Sequence, residues 1–581
     1  MEKASKEIGE HTQMSQMELN EADESVELST VDSGHLNKVT SQPENDQGQH
    51  EQLSPRSLWF IIGGLATALF LAALDNTIVS TAMPTIAQDF NSLSSVSWVA
   101  TSYMLTSTSL QPLYGTLADI FGKKVMLLFS IVVFELGSLL CGLSNSMIML
   151  IIFRGLSGVG GAGIFVMVML CISDLVPIPE RGRYMGVLGG VFGVSSIAGP
   201  LLGGLFTDKV SWRWCFYINL PLGVISLVVV VFLIKLPGPR GALIEKIKRI
   251  DFLGAFVFVA ALMMILLALN WGGSKYAWDS GVTIGLLVGG AALLVVFVGI
   301  ELKISREPMI NLKLFTMQNP LVIITGQFFM GFTMFTTIFY MPIYYHVVYN
   351  GSATAQGLFL LPFMLSIFVG ATSSGIFSSK TAIYRPVFWL GMLLLTIGTG
   401  LYITLTESSS RFIQALFMVI AGIGLGFCIQ LMLIAGQASV PRNLITGVTT
   451  LITFIRIIGG TIGLAICSTI FNQIAKNQLT SFALAHPQYA ELSVLVINNS
   501  SHAFDSNVPQ DIRVLIIKCF MKGIRSVYLC STIASGIGFL VVLFTKTFDV
   551  NNPKAPAKNV NNTSSNTNSA SVLNANAETK V

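Results

Sequence analysis

The decapeptide GTLADIFGKK, residues 115–124, decides the fold because it forms a short polar loop between two apolar runs. Its two glycines permit close helix approach and a positive φ in a tight turn. Its lysine pair begins the next helix, where the helix dipole gives cations no advantage, so it indicates a cytoplasmic loop. With the aspartate at the end of the preceding helix, the stretch predicts a polar inner gate at a membrane–water boundary. These predicted gate residues are Gly115, Asp119, Gly122, Lys123 and Lys124.

The composition around this loop is that of an integral membrane protein. The 581 residues are 52% hydrophobic and only 11% charged, with a mean hydropathy of +0.69, whereas soluble proteins carry about 25% charge. The seven cysteines have no metal-binding spacing, and neither a nucleotide-binding loop nor a catalytic His/Asp/Glu constellation is present. We therefore expect a protein in a lipid bilayer with no metal, no cofactor, no nucleic-acid partner and no enzymatic activity.

Apolar runs of about 20 residues, the length that crosses a bilayer as a helix, occur fourteen times. The predicted all-α spans are 58–81, 98–117, 125–143, 148–173, 184–206, 214–234, 251–270, 281–301, 320–344, 356–377, 386–405, 412–437, 444–472 and 523–546. With the N-terminus inside, the inner loops carry fifteen Lys and Arg and the short outer loops four. The positive-inside rule therefore predicts that both termini are cytoplasmic.

The predicted organisation follows from these spans. It comprises an acidic disordered cytosolic tail (1–56), an N-terminal six-helix bundle (57–234), a basic linker on the inner surface (235–250), two extra central helices (251–301), a C-terminal six-helix bundle (302–546) and a disordered cytosolic tail (547–581). The polar first tail predicts no cleavable signal peptide. The segment 473–522 is expected to be the long outer loop, either a lid or a plain exposed loop.

Charged side chains inside spans are costly, so each one is a candidate for function. They are Asp75, Glu135, Arg154 and Arg456. The first three lie roughly 9–12 Å below the outer surface at 1.5 Å per residue, so they are expected to meet. Two carboxylates and one guanidinium in contact could exchange protons. The alternative is a static ion-pair network that fixes helix packing.

Further candidates belong to the gate, a hinge and a cavity. Asp174, Arg181 and Arg183 follow the fourth span, and one of these arginines is expected to pair with Asp174 or Asp119 across the inner mouth. A glycine-rich fifth span predicts close packing and a bend, or ordinary packing alone; its hinge candidates are Gly199, Pro200, Gly203 and Gly204. Cavity candidates in the ninth span, which could equally face lipid or pack, are Phe328, Phe332, Phe335 and Tyr340. His346, just beyond this span, is a further cavity candidate, as a titrating group near the outer mouth or as an interfacial polar residue. Candidate glycosylation sites are Asn350, Asn498 and Asn499.

The quoted loop resembles the signature G-x-L-a-D-r-x-G-r-k of the major facilitator superfamily, with Ile120 in place of the frequent arginine. LDNTIVSTAMP (74–84), LIIFRGLSGVGGAG (150–163) and GGVFGVSSIAGPLLGG (189–204) resemble first-, fourth- and fifth-helix motifs of drug:proton antiporters. Ser157, Ser195 and His346 depart from the usual residues. WRWCFYINLPLG (212–223), LNWGGSKYAWDSG (269–281), YMPIYYHVVYNGSATAQG (340–357) and FIRIIGGTIGLAI (454–466) resemble the fungal fourteen-helix drug:proton antiporter family 2.

The resemblance implies a major facilitator fold of two six-helix bundles with two extra helices between them. It implies a monomeric, proton-coupled antiporter that exports drugs or toxic small molecules by alternating access. The plasma membrane is the expected location, with the vacuolar membrane as the alternative. A vacuolar basic amino acid transporter, a siderophore–proton carrier and a non-transporting membrane sensor of the same fold stay open as alternative functions.

Overall fold

The computed structural model describes residues 55–547, except 93–94, 235, 237, 240–241, 274, 306–307, 499–502 and 506–507. Contacts divide the chain into Met1–Ser54 and Pro55–Val581. The first of these units, which holds nearly all of the predicted acidic tail, lies outside the described residues. So does the predicted C-terminal tail after residue 547.

Long α-helices make up the described chain, in which the only β-structure is an isolated bridge between Gly272 and Tyr276. The long helices are α1 (Pro55–Asp89), α2 (Ser97–Phe121), α3 (Lys123–Gly142), α4 (Met147–Leu175), α5 (Ile178–Lys209), α6 (Asn219–Leu233), α7 (Phe252–Trp271), α8 (Gly281–Lys303), α9 (Gln318–Tyr349), α10 (Leu361–Thr381), α11 (Arg385–Tyr402), α12 (Arg411–Ala438), α13 (Ile445–Ala485) and α14 (Gln510–Leu543). Short helices lie at Trp214–Tyr217, Leu243–Lys248, Lys313–Thr316, Arg442–Leu444, Ala353–Phe359, Pro487–Tyr489 and Ala490–Asn498.

Local chemistry sets several helix starts. The side chains of Ser146, Asp251 and Ser280 accept hydrogen bonds from the first backbone N–H groups of α4, α7 and α8, which satisfies donors that have no partner inside the helix. Gly122 separates α2 from α3 with a φ of +97°, in the region that favours glycine. The positive φ predicted for the quoted loop is therefore confirmed at Gly122.

Twelve helices of the described chain are long and apolar enough to cross a membrane. The helices α2 and α11, which coincide with two predicted spans, are not among these twelve. The all-α, multi-pass architecture is therefore confirmed, while the count of fourteen spans stays a prediction.

The outer segment 473–522 is not the loop that the sequence led us to expect. Helix α13 continues to Ala485, a short helix covers Ala490–Asn498, and α14 begins at Gln510. The end of an apolar run marks where a chain leaves the hydrocarbon, whereas a helix continues while its backbone hydrogen bonds continue. The predicted long loop is therefore mostly two helix extensions outside the apolar runs.

Packing links the first six helices to the last six mainly through two helix pairs, with smaller contacts of α5 with α12 and of α4 with α13. Helices α1 and α5, α3 and α4, and α2 and α4 pack against each other, as do α9 and α13, α10 and α12, and α11 and α12. Helix α5 packs against α10, and α2 against α13. Helices α7 and α8 pack against each other, and α7 also packs against α2 and α13. Below, the end of the helices at which α1 begins is called the inner end, following the predicted orientation.

Candidate functional site

A buried ion pair joins α1 to α4. Nη1 of Arg154 donates to Oδ2 of Asp75 at 2.6 Å, and the side chains are 2% and 0% exposed. Two of the three charges predicted to lie at one depth are therefore in contact. The other carboxylate oxygen, Oδ1 of Asp75, is buried without a hydrogen-bond partner among the described residues. One oxygen of this carboxylate thus accepts the hydrogen bond of the guanidinium, and the other accepts none within the described residues.

Helix α2 completes the surroundings of the guanidinium. Nε of Arg154 donates to the carbonyl of Val99 at 3.0 Å, and its guanidinium lies 4.4 Å from the ring centroid of Tyr103. Tyr103 was not predicted from the sequence, because an isolated tyrosine in an apolar run carries no signal of a cation–π contact. The buried rings of Trp212 and Phe216 belong to the adjoining apolar core, so the pair is enclosed by protein.

The glycine-rich part of α4 explains why Arg154 can come so close to its partners. A Cβ at Gly158 would collide with the backbone of Tyr103 on α2, and one at Gly160 with the backbone of Phe134 on α3. These glycines let three helices approach at backbone distance. They therefore fix the position of α4 and, with it, the level of the guanidinium.

Glu135 does not join the ion pair, so the expected meeting of three charges is wrong for this residue. Its carboxylate lies against Gly223 of α6, and both of its oxygens are buried with no hydrogen-bond partner among the described residues. Residue spacing predicts depth along α3 but not the direction in which the side chain points. Arg456, on α13, belongs to the last six helices and also makes no ion pair within the described chain.

At the inner end, Lys123 and Asp174 form an ion pair of 2.6 Å between α3 and α4. A cavity of about 310 Å³ borders Asp119, Gly122 and this pair. Lys124 instead donates to the carbonyl of Val231 at 2.8 Å. Four of the predicted gate residues, Asp119, Gly122, Lys123 and Asp174, thus lie together, and the basic partner of their ion pair is a lysine.

Arg181 was predicted to pair with an aspartate, but in the structure its side chain binds a glutamine instead. Its Nη1 donates to Oε1 of Gln437 at 2.6 Å, and its other donors reach the carbonyls of Val176 and Ser173. Nε2 of Gln437 donates to the hydroxyls of Ser173 and Thr449 at 2.8 and 2.9 Å. We call Ser173, Arg181, Gln437 and Thr449 the inner lock, because it joins α4 and α5 to α12 and α13.

Arg183 takes no part in the inner lock. Its guanidinium lies 5.2 Å from the ring centroid of Trp59 on α1. The sequence pointed to Arg181 and Arg183 equally, since both follow the fourth span. Gln437 and Thr449 gave no sequence signal, because a neutral amide and a hydroxyl in apolar runs are common in membrane helices.

The fifth-span glycines pack as predicted at two of three positions. A Cβ at Gly199 would collide with Thr77, and one at Gly203 with Thr81 and the carbonyl of Ile78, all on α1. Gly204 has no atom within 4 Å of such a Cβ, so its predicted packing role is wrong. Helix α5 runs through Pro200 without interruption, and the hinge stays a prediction.

The aromatic residues of α9 pack largely against α13. Phe332 lies against Gly463 and Phe335 against Gly460, and the ring centroid of Tyr340 is 5.7 Å from that of Phe471. Phe328 makes an edge contact with Phe329, and His346 lies 3.4 Å from Nε2 of Gln356. Their role in a substrate cavity stays a prediction.

Of the glycosylation candidates, Asn350 is exposed beyond α9, the side chain of Asn498 is not described, and Asn499 lies outside the described residues.

The helix arrangement is that of solved transporters. It matches a bacterial homologue of the human lysosomal transporter Spinster, in an inward-facing and unoccupied conformation, with a TM-score of 0.52 and 16% identity over 87% of this chain and all of that one. It also matches the human organic anion transporter MFSD10 with a TM-score of 0.52 and 12% identity, covering 83% of this chain and 99% of that one. At these identities the likeness shows the fold alone.

Sequence relatives narrow the family further. The family model of the major facilitator superfamily matches residues 65–464. The efflux pump aflT of Aspergillus parasiticus is 37% identical over 74% of this chain and 85% of that protein. The rubrofusarin-specific efflux pump aurT of Gibberella zeae is 35% identical over 71% and 77%. The chain therefore belongs to the major facilitator superfamily, as a multi-pass membrane transporter of the group that includes fungal efflux pumps.

Proposed function

We propose that this transporter exports toxic small organic molecules in exchange for protons at the plasma membrane. The observation that carries the proposal is the buried pair of Asp75 and Arg154, whose second carboxylate oxygen has no partner in the described chain. Buried charges within a membrane are expensive to maintain and mark proton or ion pathways. Export is supported by the sequence similarity to relatives that are efflux pumps.

The arginine and the carboxylate would work as a unit. When Asp75 is ionised, Arg154 neutralises it; when Asp75 takes up a proton, the charge-assisted hydrogen bond weakens and α1 and α4 are less firmly tied. Glu135, buried on α3 without a partner among the described residues, is a candidate for a second proton site. The proposed bundle boundaries, 57–234 and 302–546, place all three of these residues in the first bundle.

Alternating access supplies the transport step. In the structure the inner lock and the contact between Gly115 and Thr450 connect the first six helices to the last six at the inner end. These contacts must break to admit substrate from the cytoplasm. We propose that protonation at Asp75 and opening at the inner lock are alternate stages of one cycle.

Transport in sealed proteoliposomes tests this proposal. With an acidic lumen, protons leaving the vesicle should drive a dye or an azole inward, and Asp75→Asn should abolish this gradient-driven uptake. Asp279→Asn is the matched control, because it removes an exposed carboxylate from the loop between α7 and α8. Uptake that ignores the gradient, or that is unchanged in Asp75→Asn, would overturn proton coupling. Movement of lysine alone would instead favour basic amino acid transport.

A further inference from the structure

Arg456 is a membrane-embedded cation for which the described chain provides no counter-ion. It lies eleven residues into α13, about 16 Å along the helix at 1.5 Å per residue. No hydrogen bond, ion pair or ring contact of its guanidinium occurs among the described residues. Helices α9 to α13 contain neither aspartate nor glutamate. A cation at this depth without an anion is unfavourable unless water or an anionic ligand reaches it, and Arg456 is partly exposed, so a ligand can reach it.

Thr449, seven residues earlier, identifies the face of α13 that carries Arg456. Residues seven apart lie on nearly the same face of a helix, and Thr449 accepts a hydrogen bond from Gln437 in the inner lock. Arg456 is therefore on the same face of α13 as Thr449, about 10 Å outward of the inner lock, and at this level its backbone contacts Gly331 of α9.

Helix α12 presents an amide at the same level. It runs antiparallel to α13, and Gln430 precedes Gln437 by seven residues, so it too is about 10 Å outward of the inner lock. Gln430 is 2% exposed and its Oε1 has no partner among the described residues. A Cβ at Gly189 of α5 would lie 3.5 Å from its Nε2, so Gln430 is at the boundary between α5 and α12.

Helix α9 contributes a second amide. Gln327 is fully buried, and neither its Nε2 nor its Oε1 has a partner in the described chain. Gly331, one turn further along the same face of α9, is in backbone contact with Arg456. A buried amide with both polar atoms unsatisfied destabilises a fold by an amount comparable to a lost hydrogen bond, so a ligand that pairs with Gln327 would remove this cost.

We propose that Arg456, Gln327 and Gln430 form an anion subsite that binds a carboxylate or phenolate oxygen of the exported molecule. A guanidinium is a strong partner for an oxygen anion, and the amides supply additional donors. Asp75 is neutralised by Arg154 in the first six helices, so it does not compete for Arg456. The inference rests on the proposed export function and gives it a substrate class: weak organic acids rather than cations.

Two dyes that share a xanthene ring system but differ in charge provide the test. Fluorescein is anionic and rhodamine 123 is cationic, and binding to the purified protein is measured by fluorescence anisotropy at one pH without a gradient. We expect fluorescein to bind and rhodamine 123 not to displace it. Arg456→Gln should weaken fluorescein binding about ten- to a hundredfold, and Arg456→Lys should restore part of it. Arg411→Gln, which removes a cation at the outer start of α12, is the matched control and should bind normally.

Gln327→Leu separates a binding role from a structural one. An apolar side chain of similar size removes two unsatisfied polar atoms, so the variant should unfold at a higher temperature while fluorescein binds less tightly. Equal fluorescein affinity in Arg456→Gln, preference for rhodamine 123, or a lower unfolding temperature in Gln327→Leu would overturn the subsite. Because binding is measured without a gradient, a failure of proton-driven transport alone would overturn the proposed coupling and leave the subsite standing.

Discussion

At Asp75 the chain holds a carboxylate that solvent does not reach and that one guanidinium neutralises. Removing one partner of such a pair leaves an uncompensated buried charge and costs about 3–5 kcal/mol, whereas replacing both by apolar groups is often neutral or stabilising. We therefore expect Arg154→Met to lower the free energy of unfolding by about that amount. The double variant Asp75→Leu/Arg154→Met should recover most of the loss.

Unfolding in mixed detergent micelles and gradient-driven uptake, measured on the same preparations, separate stability from coupling. The double variant should be folded yet unable to use the pH gradient. A double variant that still couples uptake to the gradient would show that the pair serves only helix packing, the alternative that the sequence left open.

The same residues show how far sequence reasoning reaches at this scale. Charge within an apolar run and distance from its end were enough to predict that Asp75 and Arg154 meet. They were not enough for Glu135, because depth along a helix does not give the direction of a side chain, and Glu135 lies against Gly223 of α6. The partners Tyr103 and Gln437 were missed because they are uncharged and unremarkable in an apolar sequence.

Among the elements, α5 carries neighbouring glycines that differ in their packing against α1, and they provide a test of it. Gly203→Ala would place a Cβ against the carbonyl of Ile78 and the hydroxyl of Thr81 on α1, so we expect it to destabilise the protein and slow transport. Gly204→Ala has open space around its Cβ and should be neutral, or stabilise α5 by up to about 1 kcal/mol through helix propensity. Thermal unfolding of both variants checks this, and equal effects would contradict it.

Gly203 and Gly204 also explain why the packing of the glycine-rich fifth span was only partly predicted. Adjacent residues on a helix point about 100° apart, so two neighbouring glycines cannot both face α1. The sequence identified a glycine-rich face, but the choice between Gly203 and Gly204 depends on how α5 is rotated against α1. In the same way, hydropathy located the span of α13 but not its continuation to Ala485.

For the whole molecule, the contacts at the inner end fix one state of the transport cycle. The inner lock spans four helices that belong to the first six and the last six. Near it, a Cβ at Gly115 on α2 would lie 3.1 Å from Cβ of Thr450 on α13. If these two sets of helices move apart at the inner end during each cycle, a covalent link here has to stop transport.

Cysteines at Gly115 and Thr450 test this movement, because their Cβ atoms would be within a few tenths of an ångström of the usual separation in a disulfide, about 3.5–4.5 Å. We expect oxidation of Gly115→Cys/Thr450→Cys to abolish dye uptake into proteoliposomes and reduction to restore it. A comparison pair, Gly189→Cys/Ala371→Cys, joins α5 to α10 eleven residues after the start of α5, further from the inner end than the first pair, where the separation to Cβ of Ala371 is 3.5 Å. Because Gly189 also borders Gln430, uptake by this oxidised pair is compared with that of its own reduced form, and a link nearer the axis about which the halves rock should leave more of the uptake. Full uptake with the inner pair oxidised would mean that α2 and α13 do not separate there, and the proposed alternating access through the inner lock would be wrong.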